Sequence, residues 1–523
     1  MKKWHSKYFS VALFLIAINM GAQEVPNNKS EKPMNVVFIL ADDLGWSDTE
    51  LYGTTKLYET PNILRLAERG MTFTRAYANS PLCSPTRASI LTGQTPSRHG
   101  STSAVHHKEA VRLKPEYAKS TSSSKKAINV ESVSRLDPKI PTLGQQVHKA
   151  GYATAHFGKW HLGPEPYSPY EHGFTVDIPH TNKPGPVGGF IGDWRFANNI
   201  TKDFPEEHIE DRMSTEAINW MKSLPKGGSF FMNYWQFSVH APFNAKPKLV
   251  EKYKKRIDPN SPQKSPTYAA MVESLDDAVG ALMDALDTAG IADRTIVVFI
   301  SDNGGNIYNK IPQDGNVRPT SNFPLRGGKA CVFEGGIRVP AIVVWPGVTE
   351  PGSRSDEIIQ TSDFYPTLLN GLGIALPKNH KLDGVDLMPA LLGDKLMRDA
   401  IFTYFPTAPP VPEWLPTPIT IHSGDWKLIR IFHGAENGAH DYRLYNLAED
   451  ISEENDLTDS YPDKVKKLDA MIEAHLKESG TLVPMINPDF DSTKYRPENI
   501  GLQPDDWKTK GNQKGSSKKK KKK

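Results

Sequence analysis

The 523-residue chain is 38% hydrophobic and 24% charged, with a formal net charge of +3. These values suit a globular protein with one large and one smaller unit, and they exclude a disordered chain or a multi-span membrane protein. Nine lysines fall within residues 508–523 and three within the first seven residues, so the body between them carries −9 and has no excess positive charge for a nucleic acid.

Lys2, Lys3 and Lys7 precede an apolar run at 8–18, and Gly21 and Ala22 follow. That is the layout of a secretory signal peptide over 1–22, too short for a membrane span. No cysteine lies near the cleavage region to carry a lipid, and no second long apolar stretch occurs. The expectation is an exported protein, periplasmic or secreted, with no membrane span. Cys83 and Cys331 are the two cysteines, so at most one disulfide can form. Cys331 lies in the apolar run 330–333 and reads as a buried packing thiol.

Residues 35–43 are an unbroken apolar run ending in Asp42 and Asp43. A run without alternation is what a parallel strand covered on both faces requires. In open α/β sheets, ligands bind beyond the carboxyl ends of such strands. Adjacent carboxylates repel, so the pair points to a hard divalent cation more than to a solvated turn. Residues 61–70 read as a helix between Pro61 and Gly70, followed by a short strand within 71–78. Then comes Cys83-Ser84-Pro85-Thr86-Arg87. Pro85 can take the first position of a helix, and Arg87 follows the thiol by one turn. A helix start suits an anion. An ordinary helix start with a buried cysteine is the alternative those residues leave open.

Residues 97–139 are polar, with a Ser/Thr/Lys stretch at 120–126 and basic residues Lys108, Arg112, Lys114, Lys119 and Arg135. They read as an insertion, either a rim that shapes substrate choice or a mobile surface loop. A helix at 142–150 precedes a strand that delivers Lys159 and His161, which share a face if the extended chain continues. Another apolar strand, 229–237, ends just before His240. Met271, Leu275, Val279, Leu282 and Leu286 recur at helical spacing up to Gly290. Residues 295–305 repeat the first strand's pattern: an apolar run, then Asp302-Asn303 in a Gly-rich turn. Together the two strands offer four oxygen donors for a calcium or magnesium ion. A Gly-flanked basic loop, 325–329, ends in Lys329 before a strand at 341–345 and a helix at 361–372.

This alternation predicts a large, doubly wound, mostly parallel α/β domain over 33–395. Short strands at 400–405, 426–432 and 442–447 have no helix between them. A helix with Val465, Leu468, Ile472 and Leu476 on one face follows. They predict a smaller α+β subdomain over 396–500, a short antiparallel sheet plus a helix. Residues 508–523 form a low-complexity, Lys-rich tail expected to be disordered, either a tether to an anionic polymer or a solvated end.

Asp42, Asp43, Asp302 and Asn303 thus supply oxygens for a cation. Arg87, Lys159, His161, His240 and Lys329 supply positive or proton-donating groups around Cys83. Such a set suits a small tetrahedral oxyanion and phosphoryl or sulfuryl transfer. The Cys83-x-Pro85-x-Arg87 motif, its extension Leu91-Thr92-Gly93 and the run Gly158-Lys159-Trp160-His161-Leu162-Gly163 resemble the signatures of the type I sulfatases of the alkaline phosphatase superfamily. The resemblance runs from residue 35 into the C-terminal subdomain. It implies that a formylglycine-generating maturation enzyme oxidises Cys83 to formylglycine. One hydroxyl of the hydrated aldehyde would attack sulfur, and collapse of the other would expel sulfate. It implies that Asp42, Asp43, the modified Cys83, Asp302 and Asn303 bind one calcium ion, and that Arg87 and Lys159 steady the diol. His161 would act on the second hydroxyl. His240 and Lys329 would hold the sulfate, one of them protonating the leaving oxygen. A serine found near the second signature in some members has no clear counterpart, with Ser168 and His172 as candidates.

By resemblance to bacterial exported polysaccharide sulfatases, the substrate is a sulfated carbohydrate: ulvan, carrageenan, fucan or a glycosaminoglycan. The insertion, Trp194, Arg195, Trp414 and the lysine tail are candidates to bind it, by stacking on sugar rings or by charge pairing. Two other readings stay open: a phosphomonoester or phosphonate hydrolase of the same superfamily, and a non-catalytic sulfated-glycan-binding protein. The intact Cys83 motif argues against the second.

Overall fold

The computed structural model describes residue 1 and residues 33–192, 194–196 and 200–507. The proposed signal peptide, apart from Met1, and the Lys-rich tail lie outside these residues. The apolar run at the start of the described chain is the centre of an eight-stranded sheet. Its strands are β1 (Asn35–Ala41), β2 (Met71–Phe73), β3 (Ala153–Gly158), β4 (Val176–Ile178), β5 (Phe230–Trp235), β6 (Thr295–Ser301), β7 (Ala341–Val344) and β8 (Ser353–Ser355). They lie in the order β8-β2-β7-β6-β1-β5-β3-β4. β1 is parallel to both neighbours, with Leu40 opposite Trp235 of β5 and Ala41 opposite Ser301 of β6. β7 alone runs against the rest.

The two faces of β1 explain its lack of alternation. Val37 and Ile39 pack with Met271, Leu275, Val279 and Leu282 of the Pro266–Thr288 helix. Val36, Phe38 and Leu40 pack with Ile90 and Leu91 of the Cys83–Thr92 helix and with Phe364 and Leu368 of the Phe364–Gly371 helix. With both faces covered, the strand is apolar from Val36 to Ala41, and side-chain charge begins at the sheet edge with Asp42 and Asp43. Because β1 and β6 are in register, Asp302 emerges beside them.

The Cys83–Thr92 helix is buried along its whole length and ends at Gly93, whose φ is +66°. Cys83, not Pro85, is its first residue. Pro85 is still tolerated, because the first turn of a helix has N–H groups without an intrahelical acceptor. Residues 97–139 are tied down rather than loose. Ala127–Ile128 pairs with Met485–Ile486, and Glu116–Tyr117 pairs with Val130–Glu131. The Arg135 guanidinium donates to the carbonyl oxygens of His106 (3.0 Å) and Lys108 (2.6 Å).

The C-terminal region is the expected α+β unit. β9 (Ile401–Tyr404), β10 (Pro418–Ser423), β11 (Trp426–Ile431) and β12 (Asp441–Asn446) form an antiparallel sheet in that order. Leu468, Ile472 and Leu476 of the Pro462–Ser479 helix cover it. The sequence reading missed β10. That strand follows a proline-rich stretch and begins on Pro418, a residue that a strand accepts at its first position. No helix among the described residues is long and apolar enough to cross a membrane.

A buried charge cluster joins this small sheet to the segment just after Lys329. Lys427 Nζ lies 3.1 Å from Glu334 Oε1 and 2.6 Å from Glu453 Oε1, and His422 Nε2 lies 2.9 Å from Glu334 Oε1. Burial alone would raise Glu334, but Lys427, His422 and Arg338 hold its carboxyl well below the usual range. Lys427→Met leaves two carboxylates buried without that cation. It is expected to lower stability by about 3–5 kcal/mol in urea unfolding. A loss below about 1 kcal/mol would mean that water reaches the cluster and screens it.

Candidate active site

The carboxyl ends of β1, β3, β5 and β6 and the start of the Cys83–Thr92 helix converge on one point. Cys83 is buried there as an unpaired thiol. Its Sγ lies 3.7 Å from His161 Nδ1. Burial pushes the thiol's pKa up, against the lowering effect of Lys159 and Lys329. As a plain cysteine it is therefore held in the neutral form, a poor nucleophile.

Around it, three carboxylates each have a cation. Arg87 donates from Nε (2.9 Å) and Nη2 (2.7 Å) to Asp302 Oδ2, and from Nη1 to the carbonyl oxygen of Lys159 (2.6 Å). Its guanidinium also lies 5.3 Å from the Trp235 ring centroid. Lys159 Nζ donates to Asp42 Oδ2 and Lys329 Nζ to Asp43 Oδ2, both at 2.6 Å. Burial drives Asp42 well above the ordinary carboxylate range, with Lys159 opposing. Burial also acts on Asp43, but Lys329, His240 and Lys159 outweigh it and hold that carboxyl below the usual range. For Lys329, burial is outweighed by the negative groups around it, Asp43 foremost, and its ammonium is stabilised.

Local backbone geometry aims these groups. Asp43 has φ +63°, a left-handed conformation that aspartate tolerates better than most residues. Its N–H donates to Asp302 Oδ1 at 3.2 Å, and Asn303 Nδ2 donates to Asp43 Oδ1 at 2.8 Å. β3 ends on Gly158, with φ +102° and so close to β5 that a Cβ would sit 1.9 Å from the Trp235 carbonyl oxygen. Any side chain there would push Lys159 off Asp42. The loop after β5 is locked to Asp42 by Val239 N–H donating to the Asp42 carbonyl (2.6 Å) and Asp42 N–H to that of Ser238 (2.9 Å). Glu210 Oε1 accepts from the N–H groups of Phe237 and Ser238 at 2.9 and 2.8 Å. This brings His240 Nε2 to 3.8 Å from Asp43 Oδ2, while its Nδ1 lies 2.7 Å from the Ala241 carbonyl. His240 is 17% exposed, against 0% for Asp42, Lys159 and Arg87. The opening to solvent is therefore on the His240 side.

The donor set fits a hard divalent cation. Oxygen atoms of Asp42, Asp43 and Asp302 all lie within 4.8 Å of one another. Asp42 Oδ1 and Asn303 Oδ1 are buried with no hydrogen-bond partner. Buried oxygens without donors are costly unless something positive meets them, and an all-oxygen set selects calcium or magnesium.

Lys159 and His161 do not share a face as the sequence spacing suggested. The strand ends at Gly158, and His161 takes φ +57°. The chain turns there, sending Lys159 to Asp42 and His161 to Cys83. Ser168 caps the Pro169–His172 turn, with its hydroxyl 2.7 Å from Glu171 Oε2. His172 is buried 5.3 Å from the Trp160 ring centroid. Both have local structural roles. Trp194 is buried, with its indole N–H donating to the Glu207 carbonyl, and Trp414 donates to the Leu502 carbonyl, each at 3.0 Å. Arg195 is exposed. Cys331 is free and buried under the Lys329 loop, 3.0 Å from the Gly328 carbonyl oxygen. Sequence reasoning missed His107, whose Nδ1 lies 2.9 Å from His161 Nε2. It sits in the polar insertion, where no motif marks it.

The sulfatase family model matches residues 34–374, and that of the N-sulphoglucosamine sulphohydrolase C-terminal region matches residues 328–481. Human N-acetylgalactosamine-6-sulfatase is 32% identical over 403 residues, 74% of this chain and 70% of that protein. A sulfatase of Formosa agariphila is 30% identical over 522 residues, 87% of this chain and 90% of its own. The crystal structure of Ps i-CgsB in complex with k-i-k-neocarrahexaose superposes with a TM-score of 0.69 at 24% identity, covering 90% of this chain and 97% of that one. It shares the fold. The chain belongs to the sulfatase family and is a sulfuric ester hydrolase.

Proposed function

We propose that this protein removes sulfate esters from a sulfated carbohydrate, with Cys83 working as formylglycine and calcium bound by Asp42, Asp43, Asp302 and Asn303. The observation that carries the reading is the setting of Cys83. It is the first residue of a buried helix, facing His161 and ringed by cationic side chains and carboxylates, yet its thiol is held neutral. As a cysteine it is badly suited to attack. As a hydrated aldehyde it would supply one hydroxyl to attack sulfur and a second whose deprotonation expels sulfate. The cation would neutralise the attacking and sulfate oxygens.

The chain's own groups then divide the work. Lys329 and His240, on the solvent side, meet the sulfate, and one of them protonates the alcohol oxygen as it leaves. Burial and the nearby Lys329 and Lys159 push the pKa of His240 well down, with Asp43 opposing them. His161 Nδ1, beside residue 83, is placed to take the second hydroxyl's proton. Arg87 and Lys159, anchored on Asp302 and Asp42, hold those carboxylates and the residue-83 diol in place.

The names of the relatives, an N-acetylgalactosamine-6-sulfatase and a protein crystallised with a neocarrahexaose, support a sulfated sugar as substrate. The leader at 1–22 supports export and maturation by a formylglycine-generating enzyme. Mass spectrometry of the residue-83 peptide from native-host protein, paired with a desulfation screen over sulfated oligosaccharides, tests the proposal. The expected result is the aldehyde and release of sulfate from at least one sugar. An unmodified thiol in active protein would overturn the mechanism. Faster turnover of a phosphate ester than of its matched sulfate ester would overturn the substrate class.

A further inference from the structure

We propose that the cavity between the 97–139 insertion and residues 494–507 is a second, non-catalytic binding site for a sulfated glycan chain. The cavity is about 250 Å³, with room for a sugar ring, and none of the residues placed at the reaction centre lines it. The choice of a glycan rests on the sulfated-carbohydrate reading above; the choice of an anion does not.

The charge of the lining selects an anion. Lys125, Lys126, Lys494 and Arg496 line the cavity, and no aspartate or glutamate does. Among the described residues, Lys494 has one carboxylate partner, Asp491 at 3.3 Å, and the other three cations have none. The body of the chain carries −9, so four cations gathered without a carboxylate make a local positive site on an acidic protein. Lys126 Nζ donates to the carbonyl oxygens of Gly434 (2.6 Å) and Ala435 (3.2 Å), and an ammonium has a third N–H for a ligand. Among the described residues, Arg496 hydrogen-bonds through Nη1, to the carbonyl oxygens of Thr493 and Tyr495 at 2.8 and 2.7 Å. Its Nε and Nη2 are left for a paired contact to sulfate oxygens.

The aromatic lining selects a sugar-bearing anion over a bare one. Trp414, Tyr495 and Trp507 also line the cavity. The Leu502 carbonyl oxygen accepts both indole N–H groups, from Trp414 at 3.0 Å and from Trp507 at 3.1 Å. Both rings are thus set before a ligand arrives, and Trp507 is 42% exposed. A pyranose has an apolar C–H face that packs on such a ring and a polar rim that the cations can meet. The insertion's side of the cavity is fixed as well. Asn487 Nδ2 donates to the Lys125 carbonyl oxygen (2.8 Å), and its N–H donates to that of Lys126 (2.9 Å). A preordered site loses little freedom on binding. The Lys-rich tail, which begins with Lys508 next to Trp507, has the wrong charge to fill the cavity. Holding a chain here would raise the effective concentration of its sulfate esters at the reaction centre.

The first measurement is calorimetric titration of the full chain, with Cys83 unprocessed, by short dextran sulfate and by unsulfated dextran. The sulfated polymer is expected to bind and the neutral one not. Trp507→Ala, which leaves the charge unchanged, and the double variant Lys125→Ala with Arg496→Ala should each weaken binding about tenfold or more. Lys466→Ala with Lys467→Ala removes two exposed lysines elsewhere and should stay within about twofold of wild type. In processed enzyme, Trp507→Ala should raise KM for a sulfated polysaccharide about tenfold, with kcat and the turnover of a sulfated monosaccharide unchanged. Equal affinity in wild type and both cavity variants would mean that the polymer binds elsewhere or that the tail fills the cavity, and would overturn the proposal. So would an equal loss in the Lys466 and Lys467 control, the mark of diffuse charge attraction, or tighter binding of a single-stranded oligonucleotide than of dextran sulfate through Trp507. Wild type that binds dextran sulfate through Trp507 but releases sulfate from no sugar would overturn the functional reading and leave this site standing.

Discussion

Cys83→Ala is expected to lose sulfatase turnover by about 10⁴- to 10⁶-fold, the scale seen when a nucleophile is removed from a preorganised site. The fold should survive. Alanine keeps the Cβ and is a good helix former, and among the described residues the thiol's side-chain hydrogen-bond partner is His161. Deleting a buried sulfur costs about 1–2 kcal/mol, small beside the loss of activity. Cys83→Ser separates two ideas further. A serine at this position can attack but has no second hydroxyl to expel sulfate, so it should release alcohol once and then stop, unless a maturation enzyme converts it. Alcohol and sulfate are measured separately in a single-turnover experiment. Steady turnover at wild-type rate by Cys83→Ala, or by Cys83→Ser whose serine is shown by mass to be unmodified, would remove residue 83 from the chemistry.

Asp302→Ala should have a large effect on stability. Arg87 is fully buried, and two of its three hydrogen bonds go to Asp302 Oδ2; the nearest other carboxylate oxygen, Asp42 Oδ1, is 3.7 Å away. Removing Asp302 leaves a guanidinium in the interior with a backbone carbonyl and a distant carboxylate. Breaking a buried pair from one side costs about 3–5 kcal/mol. The same substitution removes an oxygen donor from the cation cluster. Wild type should therefore be stabilised by added calcium, by about 2.7 kcal/mol at a hundredfold excess over Kd, and the variant should not. Urea unfolding with and without calcium, after chelation, reads both effects. A variant as stable as wild type, or one that still gains from calcium, would contradict the geometry.

Much of this site was legible from the sequence because its residues sit next to strand and helix ends that the sequence announces. Strands buried on both faces have no alternation to mislead, so the runs before Asp42 and Asp302 stood out, and a polar pair closing each run marked a sheet edge. Cys83 and Arg87 are a helical turn apart, a distance that local geometry determines. The short strands were harder. β10 hides behind prolines, and the two edge strands β4 and β8 have three residues each, too few for a periodic signal.

What the chain determined by itself was the elements that present the candidate groups, since these depend on periodicities of two and 3.6 residues. What the tertiary structure decided was pairing. Arg87 belongs to Asp302, Lys159 to Asp42 and Lys329 to Asp43, partners 117 to 286 residues apart in two of the three cases and 215 in the other. No local pattern encodes such distances. His161 likewise leaves the face of Lys159 only because a left-handed residue follows a glycine pressed against β5. His107 reaches it only because the insertion is pinned by strand pairing and by Arg135. Those facts exist once the sheet has closed and the low-dielectric interior makes each unpaired charge costly.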